Sequence, residues 1–379
     1  MIFSRFIVLN KKVIETNILI IANNAAGLYA FRKELLEELL QSHKVYAATP
    51  KGVDVDNLIA LGCTHIETNF NRHGTNPLFD LVLLKKYLSI IDRVEPKVVL
   101  TYTIKPNIYG GLACRIRKIP YITNITGLGV SLENKGPLGY IVRLLYRTGL
   151  KGSSMVFFQN EANQQFMLQN KIVHGQSYLL PGSGINLEMY PYEPYPEEKS
   201  KFVFLVIGRI MKDKGIDEIL EATRIIRTKY KDVTFKLIGS FDGDYKNIIN
   251  DAQKEDLIEY VGYIDNVHDY LKDSHATINA SYHEGMSNVV LETAATGRPV
   301  LASNIPGCKE AVIDGESGIL FNVKDVNALV NAIESFIALP YEKKVDMGIA
   351  GRKLMEAKFD RKQVVAKYTE VIKAVTKKQ

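Results

Sequence analysis

The chain has 379 residues, 46% of them apolar and 24% charged, and carries a formal net charge of +6. This balance excludes a disordered or fibrous protein, and the length argues for two folded domains of ordinary size. The three cysteines, Cys63, Cys114 and Cys308, are odd in number and far apart, which argues against a disulfide framework or a zinc site and for a reducing compartment.

The positive charge is uneven. Residues 1–190 hold 21 Lys and Arg against 13 Asp and Glu, whereas the remainder holds 27 against 29. The first half is therefore the one expected to meet an anionic surface or a large anionic substrate. The opening "MIFSRFIVLN" is too short to span a bilayer and is followed by no small-residue cleavage site, so a cytosolic chain is expected. No later run reaches the roughly 20 apolar residues of a spanning helix, which confines any membrane contact to the surface.

In chain order, "NILIIA" (17–22), "KVYAAT" (44–49), "VVLTY" (98–102), "YITNI" (121–125) and "MVFFQ" (155–159) read as buried strands. Between them, "YAFRKELLEELLQS" and "DLVLLKKYLSIIDRV" have helical apolar spacing, the pattern of a parallel sheet covered by helices. In "TYTIKPNIYGG" (101–111), Lys105 follows a strand end; it either faces an anionic ligand or is a surface lysine ahead of a proline-started helix. In "GPLGYIVRLLYRTGLKGSS" (136–154), Arg143, Arg147 and Lys151 recur every four residues while Leu138, Ile141, Val142 and Leu145 line another side. Such a basic amphipathic helix suits an anionic lipid surface, and the alternative is a helix packed on the sheet with solvated cations.

"YPYEPYPEEKS" (190–200), with three prolines, is the best linker, because proline interrupts both helix and strand interiors. The strand rhythm then restarts with "FVFLVIG" (202–208), "TFKLIGS" (234–240), "IEYVGYI" (258–264), "ATINAS" (276–281) and "PVLASN" (299–304). Two open α/β sheets joined in this way leave a cleft beyond the carboxyl ends of their strands, where ligands of such sheets bind. The division expected is 1–190, 200–357 and a closing amphipathic helix, 358–379, free to pack back on either half.

Two motifs in the second half carry chemistry. In "VIGRIMKDKGIDEILEA" (206–222), a strand ends at Gly208 and a basic loop with Arg209 and Lys214 leads into a helix. A planar donor fork beside a compact ammonium suits a diphosphate, although solvated loop cations are equally common. In "SYHEGMSNVVLETAATGRPV" (281–300), a helix is expected with Ser287 or Asn288 as N-cap and Gly297 beyond its end. Free amides of Ser287, Asn288 and Val289 would form a phosphate seat, with Glu284 and Glu292 on either side of it to accept hydrogen bonds from hydroxyls. The alternative is an ordinary helix with an acid in its first turn. "FDGDYK" (241–246) has an Asp-x-Asp spacing at Asp242 and Asp244 but reads as a solvated turn, and no metal is expected.

The Glu-x7-Glu of Glu284 and Glu292, the "GR" and "KDKG" of 208–215 and the tail "GRPVLASNIPGCKEAVIDGESGILF" (297–321) together resemble the fourth family of glycosyltransferases. That resemblance implies the α/β GT-B fold, two Rossmann-like domains facing across a cleft, and sugar transfer from a nucleotide donor with retention. It implies Gly208, Arg209 and Lys214 at the donor diphosphate, Glu292 on the ribose, and Glu284 with the Gly285, Met286, Ser287, Asn288 and Val289 backbone on the donor sugar. Tyr263 and Ile264 would hold the base. Arg209, Lys214 and Glu284 would carry catalysis, without a cofactor or metal.

In the first half, "NNAAGLYAFR" (23–32) resembles the family's first loop, with one glycine, Gly27, where many members carry a pair. "NITGLGVSLENKG" (124–136) resembles bacterial members that build polysaccharide on lipid-diphosphate carriers, and leaves Asn124, Thr126 and Gly127 on the acceptor side with Lys105. The implied reaction moves a hexosyl or N-acetylhexosaminyl group from a UDP-sugar to a lipid-linked sugar, on a cytoplasmic chain peripheral to an anionic membrane, with no nucleic-acid partner. A nucleotide-sugar epimerase or hydrolase of the same fold and a non-catalytic nucleotide-sugar scaffold are the competing readings.

Overall fold

An apolar run without polar alternation must be covered on both faces, and the strand cores of this protein are of that kind. The computed structural model describes residues 16–68, 77–128, 132, 136–197 and 202–377. The opening segment 1–10, most of 129–135 and the end of the expected linker, 198–200, lie outside the described residues.

Seven strands form the first sheet: β1 (Thr16–Ile21), β2 (His43–Thr49), β3 (Thr64–Glu67), β4 (Val98–Tyr102), β5 (Tyr121–Ile125), β6 (Met155–Phe158) and β7 (Ser177–Leu179). Their order is β3-β2-β1-β4-β5-β6-β7, and each pairing is parallel. Six more build the second sheet: β8 (Phe202–Ile207), β9 (Val233–Ile238), β10 (Glu259–Gly262), β11 (Ala276–Asn279), β12 (Val300–Ser303) and β13 (Gly318–Phe321). Their order is β10-β9-β8-β11-β12-β13, again all parallel. In each sheet the order reverses beside the first strand, at β1/β4 and at β8/β11, the switch point where such sheets open a ligand crevice.

The central strands are the ones that the apolar runs predict; β4 and β5 are buried at every residue. The strands without such a run, β3, β7 and β13, all lie at sheet edges, where one side of the ladder has no strand partner and a polar residue is tolerated.

The expected linker is held rather than free. Arg298, fully buried, donates to the carbonyls of Glu193 and Pro194 at 2.8 Å each, and the Glu193 amide donates to Thr296 O at 3.0 Å. The closing helix, Arg361–Thr376, packs on the first half: Val364, Tyr368, Val371 and Ile372 share a core with Ile18, Leu36 and Leu100. The chain thus passes between the halves twice, and the two passages touch. The Ile185 amide donates to Phe359 O at 2.7 Å and the Arg361 amide to Ile185 O at 3.0 Å. Gly184 has φ +68°, and a Cβ there would sit 2.6 Å from Arg361 Cα. Both the left-handed backbone and the contact demand glycine. Gly184→Ala should therefore cost about 1–3 kcal/mol, seen as a lower Tm with unchanged secondary structure by circular dichroism.

Candidate active site

The carboxyl ends of β8 and β11 bring the two motifs together. β8 ends at Gly208, Lys212–Lys214 form a single 3-10 turn, and helix Ile216–Lys229 follows. The Tyr282 amide donates to Asp213 O at 2.9 Å, stitching this loop to the one after β11. Lys214 Nζ lies 2.5 Å from Glu284 Oε1, with both side chains largely shielded. Arg209, largely exposed, pairs through Nη1 with Asp242 Oδ2 at 2.6 Å. Asp242 is exposed, as expected of a solvated turn residue, and is also the partner of a candidate diphosphate-binding residue.

The helix after β11 spans Asn288–Ala295 with Ser287 as its N-cap. Ser287 is committed to the protein: its Oγ accepts from Asn279 Nδ2 at 2.9 Å and its amide donates to Gly307 O at 2.8 Å. The expectation of a free Ser287 amide is corrected accordingly, and the first-turn amides of Asn288 and Val289, which have no acceptor one turn back, make up the seat. Met286 is buried against Gly182, and Ile264 packs on the Leu205, Ile238 and Leu271 cluster. Both offer only main-chain groups to a ligand. Tyr263 is exposed.

Glu292 lies one turn inside this helix. Burial pushes its carboxyl up to about 7, against the opposing pull of Arg361 and a hydrogen bond with Tyr190. Tyr190 is itself raised by burial and by Glu292.

The first half supplies the facing wall. Asn24 caps helix Ala25–Leu40, its Oδ1 accepting from the Gly27 amide at 2.5 Å, so Gly27 lines the cleft with its amide already used. Thr126, Gln159 and Ser183 share with Glu284, Gly285 and Asn288 a cavity of about 310 Å³. A second, of about 540 Å³, opens on the other side of Glu284 and Gly285, between Gly127, Leu128, Phe166, His283 and Pro306. The bridge between them is tight: a Cβ on Gly285 would collide with Thr126 O, and Asn160 Nδ2 donates to Gly285 O at 2.6 Å.

Other first-half expectations are corrected. Asn124 is buried in β5, donates to Thr101 O at 3.0 Å and accepts from the Tyr368 hydroxyl, so it ties the closing helix to the sheet and does not reach the cleft. Lys105 is held by Asp80 at 2.9 Å, a carboxylate that also accepts from the Tyr109 hydroxyl at 2.7 Å. In helix Pro137–Leu150 Arg147 and some apolar side chains are exposed together, and Arg143 is half-buried. Arg147 donates to the carbonyls of Lys171 and Asn170 at 2.8 and 2.9 Å, closing the end of helix Glu161–Gln169. Arg143 donates to Leu132 O at 3.0 Å, and Lys151 is exposed. Beside them Leu138, Tyr140, Ile141 and Leu144 are exposed apolar side chains, with Tyr140 67% exposed.

Arg32 was not singled out from sequence, yet it lines the 310 Å³ cavity. Its signal is there in retrospect, a cation on the buried stripe of Leu28, Leu35, Leu36 and Leu39, where helical spacing demands an apolar residue.

Two parallel Rossmann-like sheets with a ligand cleft between their strand ends form the GT-B architecture of glycosyltransferases. Residues 17–160 match the model of the Glycosyl transferase 4-like family and residues 193–354 that of the Glycosyl transferases group 1 family. The chain belongs to this glycosyltransferase family and is a transferase. It is similar to N,N'-diacetylbacillosaminyl-diphospho-undecaprenol alpha-1,3-N-acetylgalactosaminyltransferase of Campylobacter jejuni, at 24% identity over 94% of this chain and 98% of the relative. It is also similar to UDP-Gal:alpha-D-GlcNAc-diphosphoundecaprenol alpha-1,3-galactosyltransferase of Escherichia coli, at 22% identity over 67% and 70%. Sucrose-phosphate synthase from Thermosynechococcus elongatus has the same fold, with a TM-score of 0.80 at 20% identity over 96% of this chain and all of that one.

The raised Glu292 carboxyl is a stability term. An unfolded glutamate loses its proton near 4.5, the folded one near 7, so the native state holds the extra proton in between and loses stability as pH rises across that window. Replacing Glu292 with Gln removes the term. The Tm of wild type relative to Glu292→Gln should fall steadily from pH 4.5 to pH 7 and be level above; a gap independent of pH would show that the carboxyl titrates normally.

Proposed function

We propose that the protein transfers a hexosyl or N-acetylhexosaminyl group, with retention, from a UDP-sugar to a sugar on a lipid diphosphate in surface-polysaccharide or glycan assembly. The observation that carries this is the convergence of Arg209, Lys214 and the Asn288 helix start at one end of the second sheet, with Glu284 paired to Lys214 and Glu292 one turn inside the helix. Of the two relatives, the Escherichia coli enzyme is named for a UDP-sugar donor, and both are named for undecaprenyl-diphosphate acceptors and α-1,3 products. Retention at an α-linked donor yields an α product.

Negative charge builds on the departing diphosphate during transfer, so donors already aimed at it lower the barrier most. Arg209 and Lys214 supply the opposing positive charge and the Asn288 and Val289 amides add hydrogen bonds, with no metal required. A bound donor takes over Arg209 from Asp242, and Lys214 from Glu284, which frees the Glu284 carboxylate for a sugar hydroxyl. Glu292, in its ionised form, accepts from the ribose. An epimerase or hydrolase would process UDP-sugar without an acceptor, and a scaffold would not turn it over. In an assay with excess EDTA, Arg209→Ala and Lys214→Ala should each lower the transfer rate by about 10²–10³-fold at unchanged Tm. Near-normal turnover in either variant would remove the diphosphate role.

The acceptor's lipid brings the enzyme to a membrane surface. No helix among the described residues is long and apolar enough to cross one. Contact falls to the exposed apolar side chains of helix Pro137–Leu150, together with Phe79, Leu81 and Val82 on helix Pro77–Val94. Both helices pack on the segment Pro106–Gly110 and belong to the half with the positive surplus. The Tyr140→Ser, Ile141→Ser double variant should lose most co-sedimentation with anionic vesicles while keeping its fold and UDP binding; undiminished co-sedimentation would move the contact elsewhere.

A further inference from the structure

Burying a charge is costly unless a counter-charge or a full set of hydrogen bonds accompanies it. Arg32 is 5% exposed, and among the described residues no carboxylate pairs with it. Its guanidinium carbon lies 5.2 Å from the centroid of the Tyr102 ring and 5.9 Å from that of Tyr368. Nη1 donates to Phe31 O at 2.8 Å. With the Gln159 amide oriented by its neighbours, Nη2 donates to its oxygen at 3.3 Å and the amide nitrogen donates to Thr126 O at 3.3 Å. Nε, buried, has no partner.

The two tyrosines hold the guanidinium in its charged form through their rings and hydroxyls, but being neutral they neither cancel its charge nor fill its five donors. Arg32 lines the same 310 Å³ space as Glu284, Gly285 and Asn288, and Glu284, the carboxylate among its lining residues, is already held by Lys214. Thr103, on the same wall, has a left-handed backbone at φ 72° and a buried Oγ1 without a partner. The wall therefore combines an uncompensated positive charge, a spare guanidinium donor and a spare hydroxyl.

We propose that Arg32 is a phosphate-binding residue of the first half, donating from its guanidinium to a phosphate oxygen of a substrate in this cavity. The proposal rests on the reading above in one respect, that both substrates carry diphosphates; the oxygen belongs either to the nucleotide donor or to the lipid diphosphate of the acceptor. The planar fork of arginine matches either.

Calorimetry of the whole protein with two pairs of probes tests it: UDP against uridine, and farnesyl diphosphate against farnesol, in the same detergent. Arg32→Gln keeps a planar polar group and removes the charge. If the donor phosphate is the ligand, this variant binds UDP roughly tenfold or more weakly, the loss expected for a charged hydrogen bond, and binds uridine as wild type does. If the lipid diphosphate is the ligand, the same loss falls on farnesyl diphosphate while farnesol and UDP are unaffected.

Equal binding of both phosphate probes by variant and wild type overturns the proposal, and so does an equal loss for uridine or farnesol, which marks a structural role. Should Arg32→Gln fail to fold, Arg32→Lys keeps the charge between the two rings but has no fork. A severalfold loss confined to a phosphate-bearing probe then supports the proposal and unchanged affinities overturn it. Wild-type protein that binds neither phosphate probe overturns the substrate reading and this proposal with it, whereas wild-type binding that Arg32→Gln retains removes only the role of Arg32.

Discussion

One guanidinium ties the two halves and the site together. Arg361, almost wholly buried, donates to both carboxylate oxygens of Glu34 at 3.0 and 2.8 Å and, through Nε and Nη2, to Gly184 O at 3.2 and 3.1 Å. Glu34 belongs to the first helix, Gly184 to the outward passage of the chain and Arg361 to its return. Burial alone would raise the Glu34 carboxyl, but Arg361 and Asn186 bring it below its usual value. The same cation also favours the ionised form of Glu292. A single charge therefore fixes the passage between the halves and tunes the Glu292 carboxyl, so a substitution at the passage is felt at that group by Coulomb interaction as well as by packing.

The fold was legible where burial alone decides it. "VVLTY" and "YITNI" have no polar alternation, and both are fully buried central strands with the limits read from sequence. β3 and β7 were missed because edge strands can be short and half polar, and β13 because its apolar run is only three residues long. The loops after β8 and β11 were legible as chemistry because each places its charged residues within a few positions of a strand end. Their partners were not, since Lys214 and Glu284 are 70 residues apart and meet only through the β8/β11 pairing. Side-chain direction was the weakest inference. Arg143 and Arg147 read as cations for an anionic lipid surface, yet each also meets a carbonyl of the protein, and for Arg147 these lie at a helix end whose carbonyls lack intrahelical donors. Asn124 read as an available polar group and proved to be a buried tie.

The cleft's cations fall into two kinds. Arg209 and Lys214 have carboxylates within 2.6 Å, and these pairs are a resting arrangement that an incoming diphosphate exchanges, so their charge is kept in place at little electrostatic cost. Arg32 has aromatic faces and no such substitute. A site built this way favours a ligand that compensates the uncancelled charge over one that merely fills the volume.

The contact of Gly285 with Thr126 and Asn160 sets a constraint on motion. The segment that carries Glu284 toward the candidate sugar position is also the segment through which the second half leans on the first. Any swing of the halves that widens the cleft must first release that backbone, so admission of a substrate and relaxation of the Glu284 loop are one event. Turnover would then be gated by the contacts of this one segment with Thr126 and Asn160.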